Sequence, residues 1–292
     1  MLFFGVIHEY ESSKRYFSAI KDNKVVYFYM QNSILKKFQG YLHKGRFVSF
    51  EYDENDIKYI ACYKTYVVKN FIKIIKNTPY KQEIYYDIGV IKRGIKDFIN
   101  QLNNLMFLDL ELTMHDYNMP KNFKSEIIQA GIVITNKKYE ILEKIEMRIK
   151  PTKFKLSRRT IKFLNLDLDD YSNWVSYKEF YKVFQALIKK YNPHIVVWGK
   201  NDILAINDSF VINKVSSLDK ITNYVNLLQI IKNYYNYKND LALFKALEMF
   251  TNYDIEAQKH DALEDALVTL EVFKGFKSTI NTKRIKKMIK EE

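Results

Sequence analysis

The pattern of apolar and polar positions changes character once along this chain. Up to residue 75, short aromatic-rich runs follow one another: "FFGVIHEY", "RYFSAI", "KVVYFYM", "RFVSFEY" and "KYIACYKTYVV". The breaks between them, "ESSK", "KDN", "HKG" and "DEND", are polar and turn-like. Short strands with polar turns predict a small barrel or sandwich over 1–75. Residues 76–104 are more polar and end in a stretch whose Ile91, Ile95, Phe98, Ile99 and Leu102 share one helical face. That stretch reads as a linker with a helix.

From residue 105 the pattern becomes mixed α/β. Strands are predicted over 105–112 ("LMFLDLEL"), 127–135 ("IIQAGIVIT") and 142–149. "YKEFYKVFQALIKKY" has Tyr177, Phe180, Tyr181, Phe184, Leu187 and Ile188 on one helical face. "HIVVWG" reads as a buried strand ended by Gly199, with a helix after Asn201. "YVNLLQI" is a strand or a helix start, and "LALFKALEMF" and "DALEDALVTLEVFKGF" are helices. The expected class for 105–275 is therefore α/β, a mixed sheet with flanking helices. Residues 276–292 read as a basic tail.

Composition narrows the function. At 292 residues, 47% hydrophobic and 28% charged, the chain is globular, with one or two domains. No apolar run reaches 18 residues, so no membrane span is expected. "MLFFGVIHEYESS" lacks a basic start and a small-residue cleavage site, so no secretory signal is expected either. The single cysteine, Cys62, excludes an intrachain disulfide and a cysteine-built zinc site, and fits a reducing cytoplasm. The net charge of +13 points to a polyanionic partner, nucleic acid first, although basic proteins without such a partner are common.

Candidate chemistry starts inside the strand at 105–112. Residues two apart share a strand face, so Asp109 and Glu111 point one way and Leu108, Leu110 and Leu112 the other. Alone, this describes a solvated strand face. Asp202 follows the buried strand "HIVVWG", at the end of a strand where open α/β sheets bind ligands. It could equally serve the first turn of a helix. Asp265 lies among Ala262, Ala266 and Thr269, small neighbours that let its helix approach a sheet while presenting a carboxylate. His260 would sit about 140° away from Asp265 if both were helical, so it must lie on the loop entering the helix to share a site. A lone histidine there can also be structural. Four carboxylates gathered in one place repel unless cations compensate them. All-oxygen ligation selects Mg²⁺ or Mn²⁺, and two such ions ~4 Å apart can clamp a phosphodiester.

These residues resemble the DEDDh 3′–5′ exonucleases. "DLELT", "SEIIQAGIV", "WGKND" and "HDALEDA" occur in that family's order over roughly 105–275. "EII" and the "WGxxD" form are closest to the KapD-like and Eri-like branch. The resemblance implies an RNase H-like fold and hydrolysis of single-stranded nucleic acid, RNA favoured over DNA, with two Mg²⁺ or Mn²⁺ ions. It implies that Asp109, Glu111 and Asp265 hold the catalytic ion and that Asp202 acts through the second. His260 would be the general base; the sister group has tyrosine four residues before the last aspartate, where this chain has Asp261. Leu112 and Thr113 would lie beside the terminal nucleotide.

"RYFSAI" followed by "KVVYFYM" is similar to the paired motifs of cold-shock domains, an OB-fold barrel. This second resemblance implies that Phe17, Tyr27 and Tyr29 stack on bases beside Lys14 and Arg15. Where the cold-shock pattern has glycines this chain has Tyr16 and Ser18, and Ala19 stands at an aromatic position. The other reading makes these aromatics barrel core.

Overall fold

A computed structural model of the chain describes residues 1–115, 123–251 and 261–282. It divides into two compact units, Met1–Arg93 and Gly94–Glu292.

The first unit is built from β1 (Leu2–Glu11), β2 (Tyr16–Lys21), β3 (Lys24–Met30), α1 (Asn32–Phe38), β4 (Phe47–Ile60), β5 (Tyr63–Asn77) and β6 (Gln82–Tyr85). The strands run in the order β3-β2-β1-β4-β5-β6, and a parallel β3–β5 pairing closes the first five into a barrel. Closure leaves only β6 as an appended strand. Its core is aromatic: Phe3, Phe17, Phe28, Phe50 and Phe71 are all buried and in ring contact. The sheet continues past residue 75 through β6. "DEND" is not a turn: β4 runs through it with a register shift between Asp53 and Ile57, with Glu54 and Asp56 exposed and Asp53 half-buried against Lys69. The chain reverses instead at Ala61–Cys62, both at positive φ.

The second unit carries a five-stranded sheet in the order β11-β10-β7-β8-β9. Its strands are β7 (Leu105–Leu112), β8 (Ile127–Thr135), β9 (Ile141–Arg148), β10 (His194–Val197) and β11 (Asn223–Asn226). β7, β8 and β9 are antiparallel, while β10 runs parallel to β7 and to β11. The remaining helices are α2 (Ile88–Gln101), α3 (Arg158–Phe163), α4 (Tyr177–Tyr191), α5 (Asn201–Ile212), α6 (Leu227–Tyr235), α7 (Leu243–Phe250) and α8 (Ala262–Asn281). α8 extends six residues beyond 275, so that part of the predicted tail is helix, with Phe276 and Ile280 buried. The rest of the tail, 283–292, lies outside the described residues.

β8 is buried at all nine positions, as a strand covered on both faces must be. One face packs on α4 and α5 through Met106, Leu108, Leu110, Phe180, Phe184 and Ile206. The other packs on α6, α7 and α8 through Leu105, Phe107, Val133, Leu227, Leu247 and Phe273. Asp109 and Glu111 continue the row of Leu105 and Phe107, so they fall on the face covered by α8. Among the described residues no helix is long and apolar enough to cross a membrane.

Candidate active site

β7 is the central strand of the second sheet, and Asp109 and Glu111 stand at its C-terminal half. In register, Asp109 faces Gly131 and Glu111 faces Gln129 on β8. Gly131 is what lets the third acid arrive. A Cβ there would lie 2.1 Å from the Ala262 carbonyl oxygen and 2.4 Å from the Leu263 nitrogen. The first turn of α8 therefore rests directly on the β8 backbone. Ala262 and Ala266, both fully buried, keep that approach close. Asp265, 7% exposed, is thereby aimed at β7. Carboxylate oxygens of Asp109, Glu111 and Asp265 all lie within 4.8 Å of one another.

Asp202 arrives from the other neighbour of β7. The β10 ladder reaches only to Phe107, leaving the next outward amide, Leu110 N–H, without a strand partner. Asp202, in the first turn of α5, accepts it through Oδ1 at 3.2 Å. Its carboxylate is thus partly engaged, and it stands outside the 4.8 Å triplet.

Each of these acids has its pKa raised by its surroundings. Burial first, then the charges of Asp202, Asp265, Glu111 and Asp261, hold Asp109 well above the usual carboxylate range. Burial and the nearby Asp265, Asp202 and Asp261 push Glu111 up to about 7. Asp265 is pushed up to about 7 by burial, then by Asp261, Glu264 and Asp202. Burial raises Asp202 to about 6, against the lowering effect of its own and Leu110's backbone hydrogen bonds. No described lysine or arginine pairs with any of the four. Asp265 Oδ1 is buried without a hydrogen-bond partner. A crowd of hard oxygen donors with one orphaned oxygen and no cation fits divalent metal, and Mg²⁺ or Mn²⁺ in particular.

Residues that sequence reasoning passed over hold this geometry. Asp261 caps α8, its Oδ1 accepting the N–H groups of Leu263 and Glu264 at 3.0 Å each, and its Oδ2 accepts Gln129 Nε2 at 2.9 Å. Gly131 was visible as a glycine inside an apolar strand, a known mark of close backbone approach. Glu126, only 4% exposed, accepts four donors: Thr152 N and Oγ1, Lys153 N and Phe154 N, at 2.6–3.1 Å. His260 lies outside the described residues.

The structure places the other predicted contact residues as follows. Thr113 is 2% exposed, and its hydroxyl accepts Glu126 N–H at 2.8 Å, so its side chain braces the strand end; Leu112 is half-buried and packs against the α4/α5 cluster. Phe17 does not stack on bases. It is 0% exposed in the barrel core, in ring contact with Phe28, Phe50 and Phe71. Tyr29, also predicted to stack on bases, is 6% exposed and Tyr16 8%, so both are covered; the accessible aromatics are Tyr27, half-buried, and Tyr63, which stacks on it with ring centroids 4.0 Å apart. Arg15 and Lys58 lie over the Tyr29 ring at 5.3 and 4.5 Å. Lys14 is exposed beside them.

Comparison with known proteins places the second unit. The family model described as Exonuclease (RNase_T) matches residues 106–273. A full-length 3′-exonuclease structure superposes with a TM-score of 0.53 at 18% identity, over 61% of this chain and 84% of that one. The nuclease domain of 3′hExo, a DEDDh family member bound to rAMP, gives 0.53 at 18% identity, over 61% and 94%. A 3′-exonuclease recognising a histone mRNA stem-loop gives 0.52 at 17% identity, over 62% and 64%. At these identities the likeness is one of fold. No curated protein matches by sequence.

Proposed function

Because the chain belongs to the Exonuclease (RNase_T) family, we propose that it removes nucleotides one at a time from the 3′ end of single-stranded nucleic acid, RNA in preference to DNA. The observation that carries this reading is the triplet of Asp109, Glu111 and Asp265, with oxygens within 4.8 Å and no cation among the described residues to balance them. Divalent ions bound there supply charge compensation and an activated water for phosphodiester hydrolysis. Asp109, Glu111 and Asp265 hold them, and Asp202 contributes from the β10 side while fixing the Leu110 amide. An imidazole nitrogen of His260 takes the proton of the attacking water, as its unperturbed pKa of ~6.5 allows. The P–O bond to the leaving 3′ oxygen then breaks.

The RNA preference draws on the KapD-like and Eri-like motifs and on the first unit. A closed five-stranded barrel with Tyr27 and Tyr63 accessible on its outer face supports an OB-like single-strand platform, since that architecture binds oligonucleotides on its second and third strands. The test is a side-by-side time course on matched single-stranded RNA and DNA with Mg²⁺, wild type against Asp109→Ala. Mononucleotide release faster from RNA, abolished in the variant, is the expected result. Faster release from DNA would reverse the sugar preference, and an unaffected variant would remove the metal assignment.

A further inference from the structure

Between Lys150 and Lys162 the chain carries Lys150, Lys153, Lys155, Arg158, Arg159 and Lys162 and no acidic residue. Among the described residues none of these six pairs with a carboxylate. A charge run of this kind is ordinarily a solvated loop. Here the backbone beneath it is fixed with unusual care. The buried Glu126 carboxylate spends both oxygens on Thr152, Lys153 and Phe154. Thr160 Oγ1 accepts Met114 N–H at 2.9 Å, and Ser157 Oγ donates to the Met114 carbonyl at 3.2 Å. Arg159 Nη1 reaches the His115 carbonyl at 3.4 Å. Phe154 packs on Phe123, ring centroids 5.3 Å apart.

Ser157, Arg159 and Thr160 tie the segment to Met114 and His115, just past β7, and Thr152, Lys153 and Phe154 tie it to Phe123 and Glu126, just before β8. Met114 is three residues beyond Glu111, about 10 Å at about 3.4 Å per strand residue. A row of cations with no carboxylate partner among the described residues is thus anchored beside the chain that leaves β7, where a negatively charged strand must otherwise approach negatively charged side chains. We propose that residues 150–162 form a phosphate-binding rail for the single strand on the 5′ side of the cleaved bond, with the exposed Lys153, Lys155 and Arg158 as its cations and Glu126 as its positioning residue. The proposal rests on the exonuclease reading for its direction along the strand, but the rail's affinity for a polyanion can be measured without it.

The test is the triple variant Lys153→Gln/Lys155→Gln/Arg158→Gln, all exposed positions whose change leaves the core intact. Binding of a cleavage-resistant phosphorothioate single strand is followed by fluorescence anisotropy across a salt series. Three lost phosphate contacts should lower the slope of log affinity against log salt by about 2, at roughly 0.7 per contact on single strands. In turnover, kcat/KM on a long single strand should fall at least tenfold relative to kcat/KM on a dinucleotide, which has no upstream phosphates. An unchanged salt slope, or equal losses on both substrates, would overturn the rail. A wild type inactive on every nucleic acid would overturn the exonuclease reading alone, and the salt slope would still decide for or against the rail.

Discussion

Removing one charge from the acid cluster should stabilise the metal-free protein and destroy its response to metal. Asp265→Asn is the cleanest perturbation, because Asp265 is 7% exposed and its Oδ1 has no partner to lose. Its carboxyl is pushed from 3.8 to about 7 by burial and by Asp261, Glu264 and Asp202. At about 1.36 kcal/mol per tenfold change, holding it ionised in the folded state costs about 4 kcal/mol. The sign follows from linkage: a raised folded-state pKa favours folding below pH 3.8, and that advantage is lost as pH rises through about 7. Wild type without metal should therefore weaken from pH 4 to pH 8, and Asp265→Asn should lack this component. Both tryptophans, Trp174 and Trp198, lie in the second unit, so tryptophan fluorescence reports its melting alone. In chelator at pH 8 the variant should melt roughly 10 °C above wild type, taking about 2–4 °C per kcal/mol for a domain of this size. The gap should close toward pH 4. With Mg²⁺ at about a hundred times its Kd, wild type should gain about 2.7 kcal/mol and the variant far less. A variant no more stable than wild type at pH 8 in chelator would refute the reasoning.

Other perturbations separate the parts of the account. Gly131→Ala puts a methyl 2.1 Å from the Ala262 carbonyl, so it should cost about 1–3 kcal/mol and displace Asp265, lowering Mg²⁺-induced stabilisation in the same fluorescence melt. Phe17→Ala should destabilise the first unit by about 3–5 kcal/mol in denaturant melts, whereas Tyr63→Ala should leave its stability nearly intact and cost about 1–3 kcal/mol of oligonucleotide affinity by anisotropy. Glu126→Gln replaces an acceptor oxygen with a donor, so at least one of the four bonds to 152–154 is lost. Hydrogen exchange there should speed up and KM on long strands should rise more than kcat falls. His260→Ala should lose ~10²–10⁴ in single-turnover rate while retaining Mg²⁺-induced stabilisation.

Strand alternation in "LMFLDLEL" was enough to place Asp109 and Glu111 on one face, and the small residues around Asp265 were enough to expect a close helix. Both are local patterns with one structural solution. The cold-shock resemblance assigned Phe17 and Tyr29 to stacking, whereas both are buried as the barrel-core reading has it; "RYFSAI" has aromatics on both strand faces, and a period of two cannot say which face a barrel closes over. Tyr63 was hidden by its turn: Ala61 and Cys62 adopt positive φ without the glycine or asparagine that marks such hairpins. "DEND" looked like a turn by composition, and only the pairing of β4 with β5 shows that the strand carries it through. Glu126 stood in view within "SEIIQAGIV", but its partners lie 26 to 28 residues on, a separation that no local pattern reports.

The central claim is that the acid triplet, charged with metal, cleaves from a 3′ end. The direct measurement follows one single-stranded RNA labelled at the 3′ end and, separately, at the 5′ end, with Mg²⁺, with chelator, and with Asp109→Ala. The account predicts that the 3′ label leaves first as a mononucleotide while the 5′-labelled strand shortens in single steps, and that chelator or the variant stops both. Cleavage persisting in chelator or in Asp109→Ala, or a 5′ label released first, would contradict it.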